Sequence, residues 1–267
     1  MVMKIQDITI LLIDNYLSSG NSFITTRDES QRQVKQMRLL NKNAIITGGA
    51  GSIGSVVADR FLEEGANVII VDHDQKAIDQ VIEKLISDKR SIKGVNVDVS
   101  DEASVARMVD GALQFFRNGK IDILANIAGI GPFAKFTDMN VKDWDRTLDV
   151  NLKGTFLTSR QVTQHMIKNG GGVIVNMSST NGILAEEGLA AYNASKAGVI
   201  LLSKTMALEL AKYNIRVNSV CPGFIRTKLQ DEAGLPKEMI DNYVSKIPLG
   251  RLGAPIDVAN VFVFLGL

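Results

Sequence analysis

From Asn43 onward, short apolar, β-branched runs alternate with longer amphipathic stretches, and this alternation predicts an α/β fold. Two further observations narrow it to one doubly wound parallel sheet. The runs AIIT, NVIIVD and GGVIVNMSS are apolar at successive positions, as strands buried on both faces are; such strands belong to parallel sheets covered by helices on each side. A glycine-rich turn, TGGAGSIG, joins the first run to the first helix. Right-handed crossovers then wind the sheet both ways from its centre. No linker and no repeat of solenoid period interrupts the pattern, so 37–267 reads as one domain.

Residues 1–36 read as an N-terminal extension whose structure the sequence does not define. ITILLIDNYL suits a short strand or helix, NSFITTRDESQRQVKQ is polar without a clear period, and the arm is expected to add little to function. After the strand AIIT comes a helix, SIGSVVADRFLEEG, closing on Gly65. NVIIVD and QKAIDQVIEKLISD form the second strand and helix, and VNVDV and DEASVARMVDGALQFFRN the third pair. IDILANIAG is a fourth strand, followed by a long helix, WDRTLDVNLKGTFLTSRQVTQHMIKN, with a break expected near Asn151. GGVIVNMSS, the helix AAYNASKAGVILLSKTMALELAKY and IRVNSVCPG complete six strands.

Composition excludes several function classes. A hydrophobic share of 45%, a charged share of 22% and a net charge of +1 describe an ordinary globular chain, with no call for nucleic acid or a membrane surface as partner. The single cysteine, Cys221, rules out an internal disulfide, fits a reducing cytoplasm and suits a small buried hydrophobe. The only histidines, His73 and His165, read as surface residues, and no His/Cys group has metal-ligand spacing. Ile10 to Ile13, flanked by Asp7 and Asp14, is too short to span a bilayer or to serve as a secretory signal.

The glycine turn carries the first chemical signal. Glycines between strand and helix let backbone N–H groups approach a pyrophosphate, whose charge the helix N-terminus favours. Asp72, closing the second strand 24 residues after Gly48, stands where a carboxylate binds the ribose hydroxyls of NAD; a helix cap is its alternative reading. A carboxylate repels the extra phosphate of NADP, and the loop holds no Arg or Lys to bind it, so NAD is the expected cofactor. The second signal is Tyr192 and Lys196, four apart on one helix face. A phenol titrates near ~10, and a neighbouring cation favours its phenolate, so the pair suits a general acid or base. Alone, YxxxK is weak.

The order of the motifs strengthens it. The glycine loop, Asp98 closing the third strand, NIAG at Asn126 to Gly129, Asn151, Ser179 in NMSST, Tyr192-x-x-x-Lys196 and PGFIRT from Pro222 to Thr227 together resemble the short-chain dehydrogenase/reductase family, a group of Rossmann-fold oxidoreductases, over about Arg38 to Leu267. The resemblance implies that Tyr192 exchanges a proton with the substrate oxygen, that Ser179 hydrogen-bonds the same oxygen, and that Ser178 is structural. It implies that Lys196 lowers the Tyr192 pKa and binds the nicotinamide ribose, and that Asn151 holds a water leading from Lys196 to solvent. Asn151 as a plain helix cap or kink is the alternative. For the cofactor it implies Gly48, Gly51, Ser52, Ile53 and Gly54 at the phosphates, Asp72 at the ribose, and Asp98 with Val99 at the adenine. Asn126 and Gly129 would line its path, with Pro222, Gly223, Ile225 and Thr227 around the carboxamide.

Two departures carry expectations of their own. The family's shorter members read TGxxxGxG, whereas Ser52 replaces the second glycine here; read as TGxxGxxG, the loop resembles extended members. APIDVANVFVFLGL starts the last helix, and the family continues into a further edge strand. Without that strand the sixth strand's edge is expected to lie exposed, and a surface that relatives use in tetramers would be lost. Substrate choice is expected to rest on Gly131 to Phe136, Ile183 to Leu189, and Lys228 to Pro248, the last containing a helical lid, LPKEMIDNYVSKIP. Glu186 and Glu187 read as solvated loop residues, with binding of polyol hydroxyls as the alternative. The function that follows is NAD-dependent oxidation of a secondary alcohol, such as a sugar or cyclic polyol, or reduction of the corresponding ketone. The alternatives are an NADPH-dependent 3-oxoacyl-[acyl-carrier-protein] reductase and an inactive NAD-binding scaffold. A homo-oligomer, tetramer or dimer, is expected through Asn151 to Lys168 and Tyr192 to Tyr213.

Overall fold

A computed structural model describes residues 2–5, 8–11, 37–86, 91–227 and 237–267. Six parallel strands form the sheet: β3 (Asn43–Thr47), β4 (Asn67–Asp72), β5 (Ile92–Asn96), β6 (Ile123–Asn126), β7 (Gly172–Met177) and β8 (Ile215–Pro222). Two antiparallel strands, β1 (Val2–Ile5) and β2 (Ile8–Leu11), extend it to the order β1-β2-β8-β7-β6-β3-β4-β5. The chain runs outward from β3 to β5, then returns to the far side of β3 for β6 to β8. Its direction therefore reverses between β3 and β6, and the crevice beyond their carboxyl ends is where ligands bind in such sheets.

The apolar runs explain the layering. Side chains alternate across a strand, so Ala44 and Ile46 enter one core while Ile45 enters the other. The first core gathers Val57 and Phe61 of α1 (Ser52–Glu63) and Phe262 of α8 (Pro255–Leu265). The second gathers Val105 and Met108 of α3 (Glu102–Phe115) with Leu157 and Val162 of α5 (Gly154–Lys168). Carboxylate and amide caps set the helix starts. Asp74 accepts from Ala77 N at the head of α2 (Gln75–Leu85), and Asp101 from Ala103 N and Ser104 N before α3. Asn140 accepts from Asp143 N before α4 (Val141–Leu148).

Three expectations change. The third strand runs from Ile92 to Asn96 rather than over VNVDV, because its register pairs Ile92 with Val68 and ends opposite Asp72. The expected break near Asn151 is a π-helical turn, Asp149–Lys153, between α4 and α5. The edge of β8 is not exposed: β2 pairs along it, Ile8 opposite Pro222 and Leu11 opposite Ser219. The N-terminal arm, expected to add little, thus supplies two strands of the sheet. The carboxyl end of the second helix (Ser87 and Asp88) and positions 228–236 of the lid segment lie outside the described residues.

The residues leading into β3 are tied down by charge. Glu64, almost fully buried, accepts from Arg38 N at 3.0 Å and from the Arg38 guanidinium at 2.7 Å, and pairs with Arg60 at 3.2 Å. The Arg38 hydrogen bond draws its carboxyl down to about 2, against burial. A depressed carboxyl stabilises the fold above its unfolded value of 4.5 and loses that contribution as pH falls toward 2. Glu64→Gln should therefore cost about 2 kcal/mol near neutrality, allowing for the partly exposed Arg38. In thermal melts from pH 7 to pH 3, the gap to wild type should narrow as pH falls.

Candidate active site

Two clefts open at the carboxyl ends of the strands and meet at Ile53 and Thr227. The larger, about 610 Å³, lies over β3, β4 and β6. Its floor is the glycine loop. Gly48 has φ +64°, a left-handed conformation, and a Cβ there would stand 2.7 Å from Ala128 N. Gly54 is more tightly constrained, since a Cβ would lie 2.0 Å from Gly48 O. Thr47 Oγ1 accepts from Ile127 N and Ala128 N, locking the loop to the turn after β6. Gly51 caps α1 without a side-chain bond, and the first turn carries no acidic residue, so its N–H groups face the cleft free to meet an anion.

Asp72 ends β4 at the same cleft. Its Oδ2 accepts from Ala50 N at 3.2 Å and its Oδ1 from His73 N at 2.8 Å. The capping alternative falls away, because Asp74 caps α2. Asp98 and Val99 line the cleft further along. Burial pushes the Asp98 carboxyl up, but hydrogen bonds from Ser100 and the Arg146 guanidinium outweigh it and hold the group below its ordinary value.

The second cleft, about 440 Å³, is lined by Ser179, Tyr192, Pro222, Gly223 and Ile225. Tyr192 lies in the first turn of α6 (Ala190–Leu210), and Lys196 follows one turn later with its Nζ 5.5 Å from the phenol ring centre. The Lys196 ammonium is 3% exposed and donates to Met177 O at 2.9 Å. Burial lowers it to about 8. Ser179, at the exit of β7, lines the same cleft as the phenol and accepts from Asn181 N at 3.1 Å. The phenol itself stands above its ordinary value: burial raises it, the neighbouring Ser179 hydroxyl lowers it, and the Glu186 charge raises it again. The lowering expected from Lys196 is not what governs the phenol here: desolvation does.

Other assignments divide. Gly129 lines the cofactor cleft, and a Cβ on it would approach both Asn151 Oδ1 and Lys196 Nζ to 3.2 Å, so ammonium and amide lie directly beneath. Asn151 occupies the π-helical turn and clamps Ile130 by both its N–H and its C=O, at 2.8 Å each, while also donating to Ser195. It kinks the helix and positions the loop at once. Asn126 is placed differently from expectation. It is buried behind the cleft wall, donating to Asn176 and Ser159 and accepting from Thr158, so it knits β6, β7 and α5 together rather than lining the cofactor path. Ser178 is buried and donates to Lys196 O, a structural role as read. Cys221 is buried, its thiol pushed up by desolvation.

Residues passed over in the sequence also reach the clefts. Arg146 enters the cofactor cleft from α4, paired with Asp98 at 3.3 Å. Asn181 and Tyr243 enter the second cleft, Tyr243 from α7 (Lys237–Ser245). Glu186, read as a solvated loop residue, is half-buried between those two, whereas Glu187 is exposed as expected. Asn181, two residues past Ser179, was within reach of motif reasoning; Tyr243 belongs to the lid segment expected to shape substrate choice, but its contact with Glu186 was not foreseen. Among the described residues there is no group of metal ligands, and no helix long and apolar enough to cross a membrane.

Residues 42–238 match the family description "short chain dehydrogenase". The chain is 41% identical over 229 residues to 3-oxoacyl-[acyl-carrier-protein] reductase FabG of Thermotoga maritima, covering 86% of this chain and 92% of that protein. It is 37% identical to D-threitol dehydrogenase of Mycolicibacterium smegmatis, covering 85% and 86%. The crystal structure of gox2181 superposes with a TM-score of 0.82 at 36% identity, covering 86% of this chain and 90% of that one. The chain belongs to the short-chain dehydrogenase/reductase family. It is an oxidoreductase acting on CH–OH groups with a nicotinamide cofactor. The larger cleft fits such a cofactor: a loop with no room for a Cβ at Gly48, Gly49 or Gly54, uncapped N–H groups at a helix start, and a carboxylate held at the far end.

Proposed function

We propose that the enzyme uses NAD rather than NADP and oxidises a secondary alcohol, of the sugar or polyol type, to its ketone. The observation that carries the cofactor choice is Asp72, whose carboxylate is held against the glycine loop by Ala50 N, where it accepts from ribose hydroxyls and repels a phosphate. Ser52, Ile53 and the backbone around Gly51 and Gly54 would hold the pyrophosphate, Asp98 and Val99 the adenine, and Ile225 and Thr227 the carboxamide end. Bound there, the cofactor supplies the hydride acceptor for oxidation and the donor for reduction. Tyr192 takes the hydroxyl proton in oxidation and returns it in reduction. Ser179 hydrogen-bonds the substrate oxygen and holds it beside the phenol. The Lys196 ammonium favours the phenolate from beneath and would bind the nicotinamide ribose. Asn151 positions Ile130 and α6 around that ammonium.

Carrier-bound 3-oxoacyl reduction is favoured by the likeness to the Thermotoga reductase. An acidic carrier needs a basic face beside the lid. Among the described residues of the lid helix and its exit, Lys237 and Lys246 are matched by Glu238 and Asp241, which supports the small-alcohol reading. Exposed apolar residues on α5 and α6, Phe156, Leu201 and Leu208, suit association of copies through those helices. A cytoplasmic location accords with the single buried Cys221.

The test is initial rates with NAD and NADP over a set of secondary alcohols and polyols. Wild type should prefer NAD. In Asp72→Ala, loss of charge-assisted hydrogen bonds should shrink the NAD-to-NADP ratio of kcat/KM by about 10- to 100-fold. A wild type that prefers NADP overturns the proposal.

A further inference from the structure

The reading above leaves a half-buried carboxylate in the substrate cleft without a task. Glu186 lines the same wall as Ser179 and Tyr192. Its position is built from three directions. Asn181 Nδ2 donates to Oε2 at 3.0 Å, the Tyr243 hydroxyl donates to Oε1, and Asn193 Nδ2 donates to the Glu186 carbonyl at 2.8 Å. Asn181 is itself fixed to the catalytic machinery, since its N–H donates to Ser179 Oγ at 3.1 Å. Tyr243 is fixed as well, its ring 4.4 Å from that of Phe224 just beyond β8. Among the described residues no cation pairs with Glu186; Lys246 lines the cleft but is exposed.

An ionised carboxylate only accepts, and its two oxygens offer about four lone-pair directions. Asn181 and Tyr243 use two of them, leaving the others to the cleft. A substrate seated in the cleft shields this half-buried acceptor from water, so the wall rewards a substrate that brings an O–H and disfavours a bare carbonyl or thioester. Resting on the alcohol-dehydrogenase reading, we propose that Glu186 is the specificity-determining residue, and that it selects substrates carrying a second hydroxyl beside the reacting CH–OH. The second hydroxyl donates to Glu186 while the reacting oxygen meets Ser179 and Tyr192. Neither bond to Glu186 changes during hydride transfer, so its contribution falls on binding and choice of substrate rather than on the chemical step.

The experiment compares butane-2,3-diol with butan-2-ol, the same carbon skeleton with and without the second hydroxyl, by kcat/KM with NAD. Effects common to both substrates cancel in the ratio. Wild type should favour the diol by about 10-fold or more, the scale of one charge-assisted hydrogen bond. Glu186→Gln should erase most of that preference through the KM of the diol, because the amide turns one acceptor into a donor. Tyr243→Phe removes the lid contact but keeps the carboxylate, and should retain the preference. A wild-type ratio near one overturns the inference and needs no variant to fold. An unchanged ratio in Glu186→Gln also overturns it, as does an equal loss in Tyr243→Phe, which would make the effect one of lid position. Turnover of the mono-alcohol without preference leaves the dehydrogenase reading standing. Turnover of neither alcohol, with NAD still bound, overturns both.

Discussion

Tyr192→Phe should lower kcat by about 10²- to 10⁴-fold, the range supplied by a positioned general acid or base. The variant should leave melting temperature and cofactor affinity nearly unchanged. The ring keeps its place in the first turn of α6, and its packing does not depend on the hydroxyl. The pH dependence has a definite sign. Oxidation uses the phenolate, and the phenol lies above its ordinary value, so the oxidation rate should climb toward alkaline pH while reduction, which uses the protonated phenol, falls. Both slopes should vanish in the variant. Retention of kcat within about tenfold of wild type would remove Tyr192 from the chemistry and, with it, the role given to Lys196.

Gly54→Ala would bring a new Cβ closer to backbone than at any other described glycine. The new Cβ would sit 2.0 Å from Gly48 O and 2.9 Å from Gly49 Cα, backbone atoms that move only if the phosphate loop moves. Overpacking of this kind costs about 1–3 kcal/mol or more, equal to a loss of cofactor affinity of about 10- to 100-fold, read by fluorescence titration with NAD. Gly111→Ala is the counterpart. Gly111 lies within α3 with nothing within 4 Å of its Cβ position, so the same change should stabilise the protein by about 0.5–1 kcal/mol. Opposite signs for one chemical substitution isolate close backbone approach as the cause. Equal effects would mean the loop tolerates repacking.

What could be read from the chain alone was what short segments determine by themselves. The glycine loop, Asp72 at a strand end and the one-turn spacing of Tyr192 and Lys196 depend on local geometry, and the structure places them around adjoining clefts. The kink at Asn151 was legible for the same reason, as an amide and a turn-prone sequence inside a long helix. The misreadings concern properties that arise only after distant segments meet. The family resemblance placed Asn126 on the cofactor's path, yet Thr158, Ser159 and Asn176 draw it into a buried network. Glu186 looked solvated in a polar loop until Tyr243 arrived from the lid helix. The Tyr192 phenol looked depressed beside a lysine, but the burial that decides its pKa cannot be counted along a sequence.

The pairing of β2 with β8 also sets an order of events during synthesis. The strands β1 and β2 find their place only beside β8, made long after them, so this segment must wait through translation of β3 to β7. During that wait it is a β-prone ribbon with unsatisfied backbone edges, open to capture by a neighbouring nascent chain or by a chaperone. Closing the sheet is then a late step in maturation, and a protein stalled just before it would carry a formed nucleotide crevice and an unguarded border.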